Sequence, residues 1–304
     1  MLFTPLKPML LSNIKKTPVS LSDPAVLYEP KYDGWRLLVH KKASRIEIFT
    51  RHGNVVTERF PDIVEAAVEG ISAHSAILDC EGTCFHPDSR RPEFSVFDAR
   101  GKITKMPKIV AAMRRHPATL VAFDLLMVDN EQMGSYPILM RKKKLSEIIR
   151  PSNSLIPTAY KIGDGRQLFE WTLINKWEGI CAKHLNAARY HFDSRPETQP
   201  EAWVKIKHTQ FETVFIMGYQ LSPFQLLVGL KPSNVSDPYP VALVKFGFNN
   251  KDIREFLMAA RLIHTVTRKN TQMIAPLIRC KVEYLEKTSN GALRDCTFRG
   301  FIAN

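Results

Sequence analysis

The amino-acid sequence predicts an α+β protein in two domains, residues 1–208 and 209–304, the second a small β-barrel. Three observations carry that prediction. A chain of 304 residues, 44% hydrophobic and 24% charged, suits about two globular domains with sizeable cores. Strand-like and helix-like patterns alternate through the first two thirds without an internal repeat or low-complexity tract. Near residue 208 the pattern changes to short strands separated by turn residues.

In order along the chain, residues 26–50 read as two strands, AVLYEPKYDGWRLLVHKK and SRIEIFT, the second alternating like half of a hairpin. FPDIVEAAVEGI, Phe60 to Ile71, has helical spacing, and Ala76–Cys84 returns to strand. Residues 104–117 suggest a basic helix. Thr119–Val128 is a strongly apolar strand closed by an Asp129-Asn130 turn. ILMRKKKLSEII, residues 138–149, reads as a helix with a cationic face, and Gln167–Lys176 as another helix. Beyond residue 208, ETVFIMGYQ, FQLLVGLK and YPVALVKFGF are short strands and Lys251–Leu262 is the clear helix, a pattern that suits an OB-fold.

Charge narrows the function. Lys and Arg number 43 against 30 Asp and Glu, a net charge of +13, divided as +8 before residue 209 and +5 after it. Both portions are basic, as expected if both touch one polyanion, with nucleic acid the first candidate. No run of 18 apolar residues exists to span a bilayer, and Pro5 and Pro8 interrupt the apolar N-terminal patch, so no membrane association or export signal is expected. Five scattered cysteines (Cys80, Cys84, Cys181, Cys280, Cys296) form no CxxC pair. Reduced, mostly buried thiols in a cytoplasmic protein are the expectation.

The most informative segment is Glu29-Pro30-Lys31-Tyr32-Asp33-Gly34-Trp35-Arg36. Pro30 interrupts ladder pairing and Gly34 permits a tight backbone path just after Lys31. A lysine held there could attack phosphorus once deprotonated, and neighbouring cations with partial burial are expected to push its pKa down.

Lys31-x-Asp33-Gly34-x-Arg36 resembles the nucleophile motif of the covalent nucleotidyltransferases, the superfamily of ATP-dependent DNA ligases, RNA ligases and mRNA-capping enzymes. Five further motifs of that superfamily follow in order: Arg51-His52-Gly53, Asp79-Cys80-Glu81-Gly82, Phe123-Asp124, Glu178-Gly179-Ile180-Cys181-Ala182-Lys183, and Lys205-Ile206-Lys207. The resemblance covers about residues 5–208 and is nearest to bacterial ATP-dependent DNA ligases, including the ligase module of end-joining enzymes. It implies a nucleotidyltransferase (ATP-grasp-like) adenylation domain followed by a C-terminal OB-fold β-barrel.

The resemblance also implies roles. Lys31 attacks the α-phosphorus of ATP, expels pyrophosphate and becomes a lysyl-adenylate. Glu29 helps read the adenine edge, and Phe123 stacks on the ring. Arg36 and Arg51 bind ribose or phosphate oxygens, Arg51 later orienting the nick phosphate. Lys183 is a further phosphate contact. Lys205 and Lys207, two apart on a strand and so on one face, neutralise the α-phosphate, with Trp203 packing in register beneath them. Glu81 lies near the ribose and metal, and Glu178 is the firmer ligand of Mg²⁺ or Mn²⁺. Asp79 shares the strand face of Glu81, either supporting it or, the preferred reading, acting as a hydrogen-bonded structural acid. His52 and His184 receive no catalytic role.

The implied reaction seals a nick in duplex DNA in three steps: AMP passes from ATP to Lys31, then to a 5′-phosphate, and a 3′-hydroxyl displaces it. Nicked double-stranded DNA is the expected partner, with a DNA-repair or end-binding protein at damaged ends, and the expected state is a monomer. The barrel is expected to clamp the duplex and to rotate between adenylation and sealing. The family's last motif, Arg-x-Asp-Lys, is not found where Ile302-Ala303-Asn304 stand, and Arg294 or Arg299 is the candidate substitute. The alternatives are an RNA ligase, a capping-type guanylyltransferase, or a non-catalytic DNA-end-binding module.

Overall fold

Two sheets with near-continuously buried strands dominate the first part of the computed structural model, which describes residues 2–14, 19–186, 190, 202–232, 237–288 and 290–302. The chain divides into two units, Met1–Ile206 and Lys207–Asn304.

After a two-residue strand at Ser12–Asn13, the first unit has β1 (Val26–Pro30), β2 (Trp35–Lys42) and β3 (Arg45–Thr50). The stretch read from sequence as one strand, residues 25–42, is therefore two strands, and they lie in different sheets. After α1 (Pro61–Gly70) come β4 (Ser75–Cys84), α2 (Phe94–Gly101), α3 (Met106–Arg115) and β5 (Ala118–Val128). Then follow α4 (Ile138–Ile148), β6 (Leu155–Pro157), β7 (Lys161–Ile162), α5 (Gly165–Ile174), β8 (Gly179–His184) and β9 (Trp203–Lys207).

One sheet runs β3-β2-β4-β5, with β6 joining β5 in parallel. The other runs from the two-residue strand Ser12–Asn13 through β9, β8 and β1 to β7. Along β2, Leu37 and Val39 face the core shared with α1 and α2, while Leu38 faces the opposite side with Ile77, Leu126 and Trp203. Both faces of this sheet are covered, so its strands lose the apolar–polar alternation of a half-exposed sheet. On the second sheet, Val26, Tyr28, Ile180 and Val204 pack with Leu168 and Phe169 of α5.

In α4 the expected cationic face is turned inward. Arg141 and Lys142 are buried, whereas Leu139 and Met140 of the same helix are exposed. The reason lies on the strands beneath: buried Asp124 on β5 takes the Arg141 guanidinium at 2.7 and 2.9 Å, and buried Glu29 on β1 pairs with Lys142. Buried carboxylates require counter-ions, and the helix supplies them.

The second unit contains β10 (Gln210–Leu221), β11 (Phe224–Leu230), β12 (Tyr239–Val244), α6 (Asn250–Leu262), β13 (His264–Arg268), β14 (Thr271–Ile274), β15 (Arg279–Tyr284) and β16 (Thr297–Ile302). The ladder runs β12-β11-β10-β15-β16. Among the described residues the circuit is joined at a single bridge, Phe246 to Thr297, and not by a full ladder, so the expected barrel is an open one. Five strands in this order, with a helix between the third and fourth, form the partly open Greek-key barrel of an OB-fold. Asn249 starts α6 with a capping box to Asp252.

Candidate active site

Lys31 stands where the chain leaves one sheet for the other. β1 ends at Pro30, which has no N–H to extend the ladder, and the Lys31 N–H makes one last bond, to the Gly179 carbonyl at 2.8 Å. Three residues later the chain passes so close to β4 that a Cβ on Gly34 would lie 2.0 Å from the Gly82 carbonyl oxygen. The Thr83 hydroxyl donates to the Asp33 carbonyl at 2.9 Å and fastens the same crossing. Lys31 is thereby fixed at both sides by backbone geometry.

Its ammonium donates to Glu178 Oε2 at 2.5 Å. Glu178 precedes Gly179, whose φ of 139° is a conformation that favours glycine and turns the chain into β8. Burial alone would lower the Lys31 pKa, but its neighbours, the Glu178 carboxylate above all, outweigh it and leave the ammonium raised above its ordinary value. The expectation of a depressed lysine is thus reversed: the nearest charge is an acid, not a cation. Glu81, also enclosed, is pushed up to about 7 by burial, with Lys31 and Arg36 pulling the other way.

Around Lys31 lies a cleft of about 420 Å³ whose walls include Glu29, Arg36, Glu81, Phe123, Lys183 and Trp203. Phe123 is the one residue of β5 that is not fully buried, because its ring faces this space. The Arg36 guanidinium and the Lys183 ammonium each lie 4.7 Å from its centroid. Lys183 also lies 4.0 Å from the Trp203 ring and 2.7 Å from Glu29 Oε2. That close ion pair is not aligned as a hydrogen bond. Glu29 Oε1, Lys183 Nζ and Trp203 Nε1 are buried polar atoms with no hydrogen-bond partner among the described residues. Glu29 Oε1 is paired with Lys142 and Lys183 Nζ with Glu29, which leaves Trp203 Nε1 as the unsatisfied donor of the three, a costly group suited to a polar ligand.

Of the candidate residues, Glu178, Arg51, Lys205 and Lys207 are not among those lining that cleft. Arg36 is held by Asp79, Nε to Oδ1 and Nη2 to Oδ2 both at 2.6 Å, so Asp79 is the structural acid the sequence suggested. Tyr190, which no motif had singled out, donates its hydroxyl to Asp79 at 2.5 Å. Arg51 is exposed and donates from Nε to His52 at 2.9 Å. Lys205 shares the strand face of Trp203 on β9, opposite Asn13. Lys207 is engaged within the second unit, donating to Asp295 at 2.7 Å. There too, Arg294 pairs with Glu286 at 3.2 Å and Arg299 with Glu283. Ala303 and Asn304, where the last motif was sought, lie outside the described residues. A second residue that sequence reasoning missed is Lys142, hidden in a run of four cations; its Nζ donates to the Phe123 carbonyl at 2.6 Å. Burial lowers its pKa to about 8 against the pull of Glu29.

No described helix is long and apolar enough to cross a membrane. A family model described as an ATP dependent DNA ligase domain matches residues 8–207. A DNA ligase of Pyrobaculum arsenaticum is 33% identical over 295 residues, covering 89% of this chain and 49% of that protein. The multifunctional non-homologous end joining DNA repair protein LigD of Mycobacterium tuberculosis is 26% identical over 314 residues, 98% of this chain and 38% of the relative. The chain thus spans between about a third and a half of the curated relatives it matches. Among solved structures, mycobacterial DNA ligase D complexed with ATP and MES matches with a TM-score of 0.56 and 25% identity, covering 98% of this chain and 95% of that one. A Lig E DNA ligase reaches a TM-score of 0.63 at 13% identity, with 97% and 98% covered, a likeness of fold alone.

Proposed function

The chain belongs to the ATP-dependent DNA ligase family, and from that membership we propose that it seals 5′-phosphate/3′-hydroxyl nicks in duplex DNA through an adenylate on Lys31. The observation that carries the reading is the placement of Lys31: an amine fixed at a sheet crossing, against Glu178, at the edge of a cleft lined by Glu29, Glu81, Phe123 and Lys183.

In this reading Phe123 offers an aromatic face to the adenine, Glu29 meets its edge, and Lys183 and Lys205 supply positive charge near the phosphates. Lys31 Nζ attacks the α-phosphorus and pyrophosphate leaves, so one hard transfer becomes successive easier ones. The amine must first give up a proton that Glu178 helps it hold. Anything that draws the Glu178 carboxylate away therefore activates the nucleophile.

A divalent cation fits the donors present. Glu178 and Glu81 are carboxylates within electrostatic reach of each other, and no group of three or more metal-ligating side chains occurs among the described residues. Mg²⁺ is commonly held by one or two carboxylates with substrate oxygens and water. Bound there, it would offset phosphate charge and compete with Lys31 for Glu178.

The net charge of +13 supports docking along the duplex backbone by phosphate contacts, without sequence reading, and the basic OB-fold unit serves as a second clamp. The test is sealing of a nicked duplex with ATP and Mg²⁺, beside Lys31→Ala. Joining by the parent chain and none by the variant is expected. Labelling from GTP with no joining of nicked DNA would overturn the reading in favour of capping chemistry.

A further inference from the structure

Lys142 sits behind the cleft, not in it, and touches two of the groups that line it. Its ammonium pairs with the Glu29 carboxylate on β1 and donates to the Phe123 carbonyl on β5 at 2.6 Å. Glu29 and Phe123 come from different sheets, and Lys142 on α4 is a side chain bonded to both. Glu29 Oε2 is held from the other side by Lys183 at 2.7 Å. An ionised carboxylate is a hydrogen-bond acceptor only.

Adenine and guanine differ at that kind of acceptor. The exocyclic amine of adenine donates a hydrogen bond, whereas guanine presents a carbonyl oxygen at the same position and would meet the carboxylate lone pairs. Glu29 lines the cleft, and its carboxylate oxygens, Oε1 paired with Lys142 and Oε2 with Lys183, each keep a further lone pair that suits such a donor.

We propose that Lys142 is a positioning residue for nucleotide choice: by holding the Glu29 carboxylate and the Phe123 main chain together, it fixes the base-reading wall and sets the preference for an adenine over a guanine triphosphate. The inference rests on the cleft being the nucleotide site. Lys142 itself touches no reacting atom, so its loss acts on discrimination and KM more than on kcat.

The experiment measures lysyl-nucleotide formation from ATP and from GTP for the parent chain, Lys142→Arg and Lys142→Gln, with the ratio of the two kcat/KM values as readout. A ratio within one preparation is insensitive to the fraction of folded protein. For Lys142→Gln the ATP preference falls by about tenfold or more, with KM for ATP raised and kcat changed about twofold or less; Lys142→Arg restores most of the preference. Adding Lys142→Gln to Glu29→Gln lowers the preference no further than Glu29→Gln alone, because both act through one carboxylate. An unaltered ratio in Lys142→Gln, or additive losses in the double variant, overturns the proposal while nucleotide transfer to Lys31 stands. Failure of the parent chain to take nucleotide from either triphosphate overturns the functional reading and this inference together.

Discussion

The Lys31–Glu178 pair decides how the nucleophile is released. Glu178 keeps the ammonium protonated above its ordinary range, so Glu178→Gln lowers the Lys31 pKa and raises the fraction of free amine at mildly alkaline pH. In the absence of nucleotide, an amine-reactive reagent followed by peptide mapping should label Lys31 faster in Glu178→Gln than in the parent chain. Equal or slower labelling would contradict the assigned coupling. Glu81 gives a second, opposite signature. Its folded-state value of about 7 lies above the ordinary 4.5, so the folded chain retains a proton that the unfolded chain has released. Its contribution to stability is therefore present at low pH and is lost as pH rises from about 4.5 to 7. Relative to Glu81→Gln, the parent chain should lose up to about 2 kcal/mol across that window after allowance for partial exposure, read from urea midpoints against pH. Parallel curves would contradict it.

At the scale of elements, the crossing from β1 to β2 is the device that presents Lys31. Gly34→Ala drives a Cβ into the Gly82 carbonyl, and backbone against backbone has little freedom to yield. A loss of about 1–3 kcal/mol or more in unfolding free energy is expected, with a larger fractional loss of adenylation because Lys31 shifts with the crossing. A variant as stable and active as the parent would show that the crossing is not tight. Much of this was legible in the sequence: the apolar run at Thr119–Val128 and the helical spacing at Phe60–Ile71 meet observed elements almost end to end. The crossing itself was legible only in part: Pro30 and Gly34 marked an interruption, but that the flanking strands join different sheets is set by three-dimensional pairing. Strand β15 and α2 escaped notice for a related reason. Arg279–Tyr284 alternates strictly but runs for only six residues, and Phe94–Gly101 has little amphipathic pattern. In α4, local charge suggested a solvated face, but long-range burial of Asp124 and Glu29 turned Arg141 and Lys142 inward. The motif order located the cleft residues because they carry chemistry, whereas Tyr190 and Lys142 support others from behind and carry no local signature.

Across the whole molecule, the excess of basic residues in both units predicts binding dominated by phosphate contacts. The affinity for nicked duplex should fall steeply and linearly on a log–log plot of binding constant against salt, and to a similar degree for duplexes of different sequence. A flat salt response would contradict backbone docking. The sequence carried this property openly, since net charge needs no fold. It could not show the bridge between Phe246 and Thr297 that joins the barrel strands, because strand pairing between residues so far apart leaves no local pattern.

All of these effects presuppose that one amine carries the nucleotide. Incubation with ATP and Mg²⁺, followed by mass spectrometry of the peptides, tests that directly. The account predicts one AMP adduct, mapped to Lys31, labile in acid as a phosphorus–nitrogen bond is, and absent from Lys31→Ala. An adduct on another residue, or one that persists in Lys31→Ala, would contradict it.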